Sequence, residues 1–179
     1  MPTLIGPAQT RGGRATMTRG VLFVHSCPRA ISPHLEWGLA QIFGHAVSLT
    51  WTHQPVMPGT VRTEYSWEAP CGTGARLTSA LNGFKGLRFE VTEDPARHSE
   101  GERYSFTPDL GLFRATVGSN GDIVVSEDRL RNAMATAAAA GSNVADRLEE
   151  LLGTAWDEEL EPFRYAGDGA PIRYLHRVG

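Results

Sequence analysis

A chain of 179 residues with 41% hydrophobic and 21% charged content is long enough for one domain with its own core, so it needs neither disulfides nor a metal to fold. A net charge of −3 with no basic run argues against a nucleic-acid or anionic-membrane binder, and no apolar stretch approaches membrane-spanning length. The two cysteines, Cys27 and Cys71, form no secreted disulfide framework, and the expected setting is cytoplasmic.

Residues 1–16 carry Arg11 and Arg14, several Gly, Pro and Thr, and no acid. They have the bias of a transit peptide without its amphipathic period, and they lack the apolar core of a secretion signal. They read as a disordered tail, with Met17 as an alternative start. Residues 17–179 read as a single α+β domain.

Val21, Leu22, Phe23 and Val24 make a strand buried on both faces, which His25-Ser26-Cys27-Pro28 is expected to break. Ser32 before Pro33 starts a helix, Leu35, Leu39, Ile42 and Phe43 give it an apolar stripe, and Gly44 stops it. Val47, Leu49 and Trp51 alternate as a second strand. After a turn at Pro55, Pro58 and Gly59, Val61, Thr63, Tyr65 and Trp67 alternate as a third, with Arg62, Glu64 and Ser66 on its opposite face. Residues 70–74 form a loop. Leu77, Ala80, Leu81 and Phe84 stripe a second helix, and Leu87, Phe89 and Val91 alternate with Arg88, Glu90 and Thr92 in a fourth strand.

This order is β-α-β-β-α-β, the ferredoxin-like, split βαβ pattern, over a core of about residues 20–93. Two right-handed crossovers are expected to set the first and third strands side by side and parallel, with both helices on one face. Something must then cover the second face, because the first strand is apolar on both sides. The extension at about 101–179 is the candidate. Residues 110–116 and 123–125 flank Gly118-Ser119-Asn120-Gly121 as a hairpin, and Ser126 caps a helix striped by Leu130, Ala133, Met134 and Ala137. Val144, Leu148, Leu151 and Leu152 stripe another helix, ended by Gly153. Thr154 and Asp157 begin a short acidic turn that stops before Pro162, and residues 172–178 read as a final strand. The hairpin and helices are expected to pack on the open sheet face.

With parallel first and third strands, the loops after them would share one sheet edge. His25, Ser26, Cys27 and Arg29 would then face Cys71, Gly72, Thr73 and Gly74. Both loops lead into helix N-termini, which favour an anion, and Arg29 or Arg76 would complete a phosphate or carboxylate site. The candidate ligand-binding residues are therefore His25, Ser26, Arg29, Gly72, Thr73, Gly74 and Arg76. A lowered thiol pKa at Cys27 is the sharper form of the same idea, and a small buried filler is the plainer reading, which is preferred. The six histidines, His25, His34, His45, His53, His98 and His176, have no paired ligand spacing, so neither metal nor cofactor is expected. Arg62, Glu64, Arg88 and Glu90 read as a cross-strand charge ladder. Trp51 and Trp67 read as core, whereas Trp37 falls one position off its stripe and is a candidate partner anchor.

Several blocks in order resemble a known family. They are Arg19-Gly20-Val21-Leu22-Phe23-Val24-His25-Ser26, Pro33-His34-Leu35-Glu36-Trp37, Leu87-Arg88-Phe89-Glu90-Val91-Thr92-Glu93 and Gly101-Glu102-Arg103-Tyr104-Ser105. In the tail they continue with Glu159-Leu160-Glu161-Pro162-Phe163-Arg164-Tyr165-Ala166-Gly167 and Gly169-Ala170-Pro171-Ile172-Arg173-Tyr174-Leu175-His176. From about Met17 onward the chain is similar to the actinobacterial domain-of-unknown-function family 3145. The resemblance brings no catalytic residues with it. It implies a start near Met17 and no requirement for cysteine at positions 27 and 71. Through gene neighbourhood it hints at fatty-acid metabolism, with associational weight only.

Two functional expectations follow. The first is a non-enzymatic accessory or regulatory protein that binds a protein partner or a small anionic ligand. The second is a small enzyme using His25, Ser26 and Arg29, with Glu36 as acidic partner. A homodimer formed through sheet or helix pairing is a third possibility; the sequence leaves the oligomeric state open.

Overall fold

A computed structural model describes residues 15–165 of the chain. Residues 1–14 of the expected tail at 1–16 and the expected final strand at 172–178 lie outside the described residues; Thr16, at the end of that tail, accepts the Cys71 N–H at 2.9 Å. The strands are β1 (Met17–Pro28), β2 (Thr52–His53), β3 (Thr60–Pro70), β4 (Arg88–Glu93), β5 (Gly101–Thr107), β6 (Gly111–Val117) and β7 (Ile123–Val124). The helices are α1 (Ser32–Phe43), α2 (Thr73–Leu81), α3 (Glu127–Ala140), α4 (Val144–Leu152) and α5 (Thr154–Tyr165). All seven strands join one sheet in the order β2-β3-β1-β4-β5-β6-β7, and every pair is antiparallel. No described helix is long and apolar enough to cross a membrane.

The expectation of parallel first and third strands is corrected. The crossover through α1 returns β2 in the direction of β1, and the turn after His53 reverses the chain. The strand that the turn delivers beside β1 therefore runs against it. Pro28 pairs with Thr60 and Met17 with Pro70. The loops that follow β1 and β3 are thus at opposite ends of a long ladder, roughly 35 Å apart at the usual rise per residue.

β1 is also longer than its sequence suggests. Its ladder passes through His25-Ser26-Cys27-Pro28 instead of breaking there, and the register shifts after Val24 on both flanks. Such a bulge bends a strand and re-aims a side chain without ending it. Earlier in β1, Gly20 is required by contact: a Cβ there would lie 2.0 Å from the Thr92 carbonyl oxygen and 2.2 Å from the Trp67 ring.

The segment with Val47, Leu49 and Trp51 is not a strand, and only Thr52–His53 pairs with β3. Val47 and Leu49 are buried as their alternation suggests. The ladder is replaced by a side chain: the Glu36 carboxylate accepts the Leu49 N–H at 3.1 Å and the Trp51 indole N–H at 2.9 Å.

One sheet face carries Leu22, Val24, Trp67, Phe89, Val91 and Tyr104, packed with Leu35 and Leu39 of α1 and Leu77 and Leu81 of α2 in one apolar core. The extension does two things. β5, which the strand alternation did not predict, and the β6–β7 hairpin prolong the sheet beyond β4 and do not pack on it. Only the helices return, with α5 lying against β1 and β5. α5 is a twelve-residue helix and not a short turn, and Pro162 is inside it. A proline there forfeits one intrahelical hydrogen bond. The burial of Leu160 and Phe163, on either side of it, offsets that cost. In α3 the small residues Ala133 and Ala137 are buried, while Leu130 and Met134 of the expected stripe stand exposed.

Candidate functional site

His25, two residues after Phe23, alternates onto the sheet face that α5 covers, where its ring stacks on Phe23. Its acidic partner is Glu90 on β4, not Glu36. The His25 Nε2 and the Glu90 Oε2 are 2.7 Å apart, and both side chains are almost wholly buried. An ionised carboxylate only accepts, so Nε2 is the donor.

Three further donors converge on the same carboxylate. Arg164 of α5 reaches it through two bonds, Nε to Oε2 at 2.9 Å and Nη2 to Oε1 at 2.6 Å. Arg103 of β5 donates to Oε1 at 3.0 Å and the Ser105 hydroxyl to Oε1 at 3.3 Å. Asp157, one face of α5 seven residues before Arg164, accepts from Arg164 at 2.7 Å and from Arg103. Two carboxylates and two guanidiniums thus lie in one closed group with His25 beside them. Burial alone would raise the Glu90 carboxyl, but the hydrogen bonds and charges of His25 and Arg164 outweigh it and hold it well below the usual carboxylate range. Burial would lower Arg164, and Glu90 and Asp157 reverse that, so its charge is held more firmly than an ordinary arginine's.

A second set of contacts fastens the same helix. Arg88 binds Glu159 at 3.1 Å and lies 4.9 Å from the centre of the Phe163 ring. Thr107 donates to Glu159 at 2.7 Å. The Phe163 carbonyl accepts from Arg62 at 3.2 Å and from the buried amide of Gln54 at 3.3 Å. Arg88 and Glu90 are therefore not members of an exposed charge ladder. They tie α5 to the sheet.

The other expected site residues are dispersed. Ser26 is fully buried, its hydroxyl 3.5 Å from the Met57 sulfur. Arg29 is exposed at the end of β1, and its backbone N–H goes to the Gly59 carbonyl. Gly72, Thr73 and Gly74 are at the far end of the ladder, so no cleft unites them with His25. The anion expected at that helix start does exist, and it belongs to the chain: the buried Glu93 carboxylate accepts the Gly72 and Gly74 N–H groups, each at 2.7 Å. Arg76 points to the Ile42 carbonyl at 3.4 Å. Burial pushes the Cys27 thiol up to about 11, which keeps it a protonated filler. Trp37 is 69% exposed. Among the described residues no group of three or more His, Cys, Asp or Glu is placed to hold a metal.

Sequence reasoning missed Arg103, Asp157 and Arg164. Asp157 and Arg164, two turns apart, fall on one helix face, and Arg103 is on the same sheet face as Glu90, so a signal was present. Cover over that face was expected; which helix supplies it, and that its Asp157 and Arg164 meet Glu90 and Arg103, was the missing fact.

Comparison with known families uses these same stretches. The family described as "Protein of unknown function (DUF3145)" matches residues 21–177. The chain belongs to the DUF3145 family. No curated protein and no solved structure matches it. The DUF3145 match includes the bulged strand with His25, the Glu90 strand, Arg103 and all of α5, so the whole buried cluster is inside the family region. A general base or nucleophile needs an open path to its substrate. His25 and Glu90 instead spend their polar atoms on one another and on the clamp that holds α5.

Proposed function

We propose that this protein is a non-enzymatic accessory or regulatory protein that acts by binding a protein partner. The observation that carries the reading is a contrast in exposure. His25, Ser26 and Glu90 are closed inside the sheet–α5 interface, while α3 and α4, which pack on each other, leave Leu130, Met134, Val144 and Leu152 exposed. Large apolar side chains left outside on two adjoining helices fit a docking surface. Trp37 on α1 is a separate, smaller anchor.

The first four strands and two helices support reading residues 17–93 as a ferredoxin-like βαββαβ unit, since β2-β3-β1-β4 is the strand order of that unit. A small anion at Gly72, Thr73 and Gly74 would first have to displace the Glu93 carboxylate, which weighs against a ligand there. A cytoplasmic, actinobacterial setting and a link to fatty-acid metabolism belong to the proposal and come from the family resemblance.

The test is an affinity pull-down from the native cell with the full chain and with Leu130→Asp/Met134→Asp. Both substitutions are at exposed sites, so the melting temperature should hold. A protein retained by the wild type and lost by the variant is the expected result, and lipid-synthesis enzymes among such proteins would support the acyl link. Identical retention by both chains overturns the docking surface.

A further inference from the structure

α1 and α2 form the outer layer over one sheet face, and charge is divided unevenly between this layer and the helices of the other side. Across residues 29–51 and 71–87 the sequence has a single acid, Glu36, whose carboxylate is taken up by the Leu49 and Trp51 N–H groups. The Arg and Lys residues there are Arg29, Arg76 and Lys85, all exposed, with His34 and His45 exposed beside them. Residues 127–165, which make α3, α4 and α5, hold nine acids against four arginines. In a chain of net charge −3 the α1–α2 layer is thus the positive side.

Trp37 stands in the middle of this layer, 69% exposed, on the side of α1 away from the buried Leu35 and Leu39. His34 and Gln41, at helical spacing from it, are exposed as well. Next to it, Gly38 has open space where a side chain would be. The cations frame the indole from two ends. Arg76 reaches the Ile42 carbonyl at 3.4 Å, near the C-terminal end of α1. Gly86 lies against Pro28, where a Cβ on it would be 3.3 Å from the Pro28 ring, so Lys85 and Arg29 are at the N-terminal end. None of the three cations is in an ion pair with a described residue. An exposed indole is a common centre of a protein contact, and unpaired charges around it select the sign of what docks there.

We infer that the α1–α2 layer docks an acidic amphipathic helix of a partner protein, with its apolar side on Trp37 and its carboxylates at Arg29, Lys85 and Arg76. α1 has 12 residues and is therefore about 18 Å long, so a partner helix of about three turns spans the cations. This chain does not supply that helix from its own ends. Residues 1–14 carry two arginines and no acid, and residues 166–179 one acid against two arginines. A second copy fits poorly, because its acidic helices attach on the α5 side of the sheet, so the contact would be head-to-tail and would not close in a pair. A membrane would meet three cations and one indole, fewer than the roughly four to eight basic residues of lipid-binding clusters. The inference uses a surface separate from that on α3 and α4, and either can fail without the other.

Titration of the purified full chain with a synthetic helical peptide of about 15 residues, built from Leu and Glu in amphipathic order, tests it. Saturable binding is expected, with tryptophan emission moving to shorter wavelength. It should be lost at about 1 M salt, where screening acts within about 3 Å. Trp37→Ala should remove the spectral shift. Arg29→Glu/Arg76→Glu/Lys85→Glu should weaken binding at least about tenfold with the melting temperature held, since these positions are exposed. Leu130→Asp/Met134→Asp should bind the peptide as the wild type does, which separates the two surfaces. No saturable binding, or binding that the charge reversal leaves unchanged, overturns the proposal. Tighter binding to vesicles of phosphatidylglycerol and phosphatidylcholine than to the peptide also overturns it, since the face would then be a membrane contact. A mass that grows with protein concentration and falls back in the charge-reversed chain gives the face to a second copy and overturns it too.

Discussion

The two faces of the sheet are buried by different chemistry. Under α1 and α2 the contacts are Leu, Val, Phe and Trp, and no charge pair is needed to hold them. Under α5 the central group is a carboxylate with three basic side chains around it, and the apolar contribution comes from Leu160, Phe163 and the Phe113–Trp156 pair. Apolar packing is non-directional and tolerates small shifts. A closed ion cluster works in one arrangement, since a displaced member leaves the others buried and unpaired. The α5 side thus fixes where the helix sits, and the α1–α2 side supplies most of the drive to fold.

The contrast can be broken by removing one group from each side. Glu90→Ala leaves Arg103, Arg164 and His25 facing a void, and should cost about 3–5 kcal/mol in urea unfolding at pH 7. Phe89→Ala, its neighbour on the opposite face, should cost a similar 3–5 kcal/mol through a cavity. The two separate with pH. The folded Glu90 carboxyl is held below its unfolded value, so its contribution is complete above the unfolded carboxylate pKa of about 4.3. It is lost as pH falls through the folded pKa. The gap between wild type and Glu90→Gln should therefore be widest above about pH 5 and narrow under strong acid, whereas the Phe89→Ala gap should stay flat. Parallel pH profiles for the two would remove the distinction between the faces.

A smaller effect is expected at the helix start that the chain caps for itself. Glu93→Gln removes the charge and leaves one of the two backbone N–H groups facing an amide NH2 instead of an oxygen, and should cost about 1–3 kcal/mol, read as a lower urea midpoint. Tighter phosphate binding by that variant than by the wild type would mean that Glu93 had been guarding an anion site. The smallest change sharpens the thiol reading. In the native protein Cys27 should react with a thiol reagent only as fast as the protein unfolds, and its blocked rate should match Cys71 once denaturant is added. Rapid native labelling of Cys27 would show an open, activated thiol.

Much of the architecture was legible in the chain. The element order through Glu93, the α1 and α2 stripes, the turn at Gly118 and the α4 helix follow from period and punctuation. Three features were not. Glu36, a helix residue, takes the backbone donor of Leu49 and so turns a strand-like alternation into irregular chain. Leu160 and Phe163 hold a proline inside a helix. Glu90 alternates with apolar residues as a surface charge would, and its burial depends on a helix about seventy residues downstream.

Sequence by itself determined which residues prefer strand or helix, which faces are apolar, and that an anion belongs at the start of α2, because these follow from local propensity and from unpaired backbone N–H groups. Tertiary structure alone decided the direction in which β1 and β3 run, that the anion is Glu93, and that His25 meets Glu90 under α5 and not a ligand at a loop edge. Those outcomes depend on which distant segments share a face, and a pairwise contact between residues far apart in the chain leaves no periodic trace in either of them.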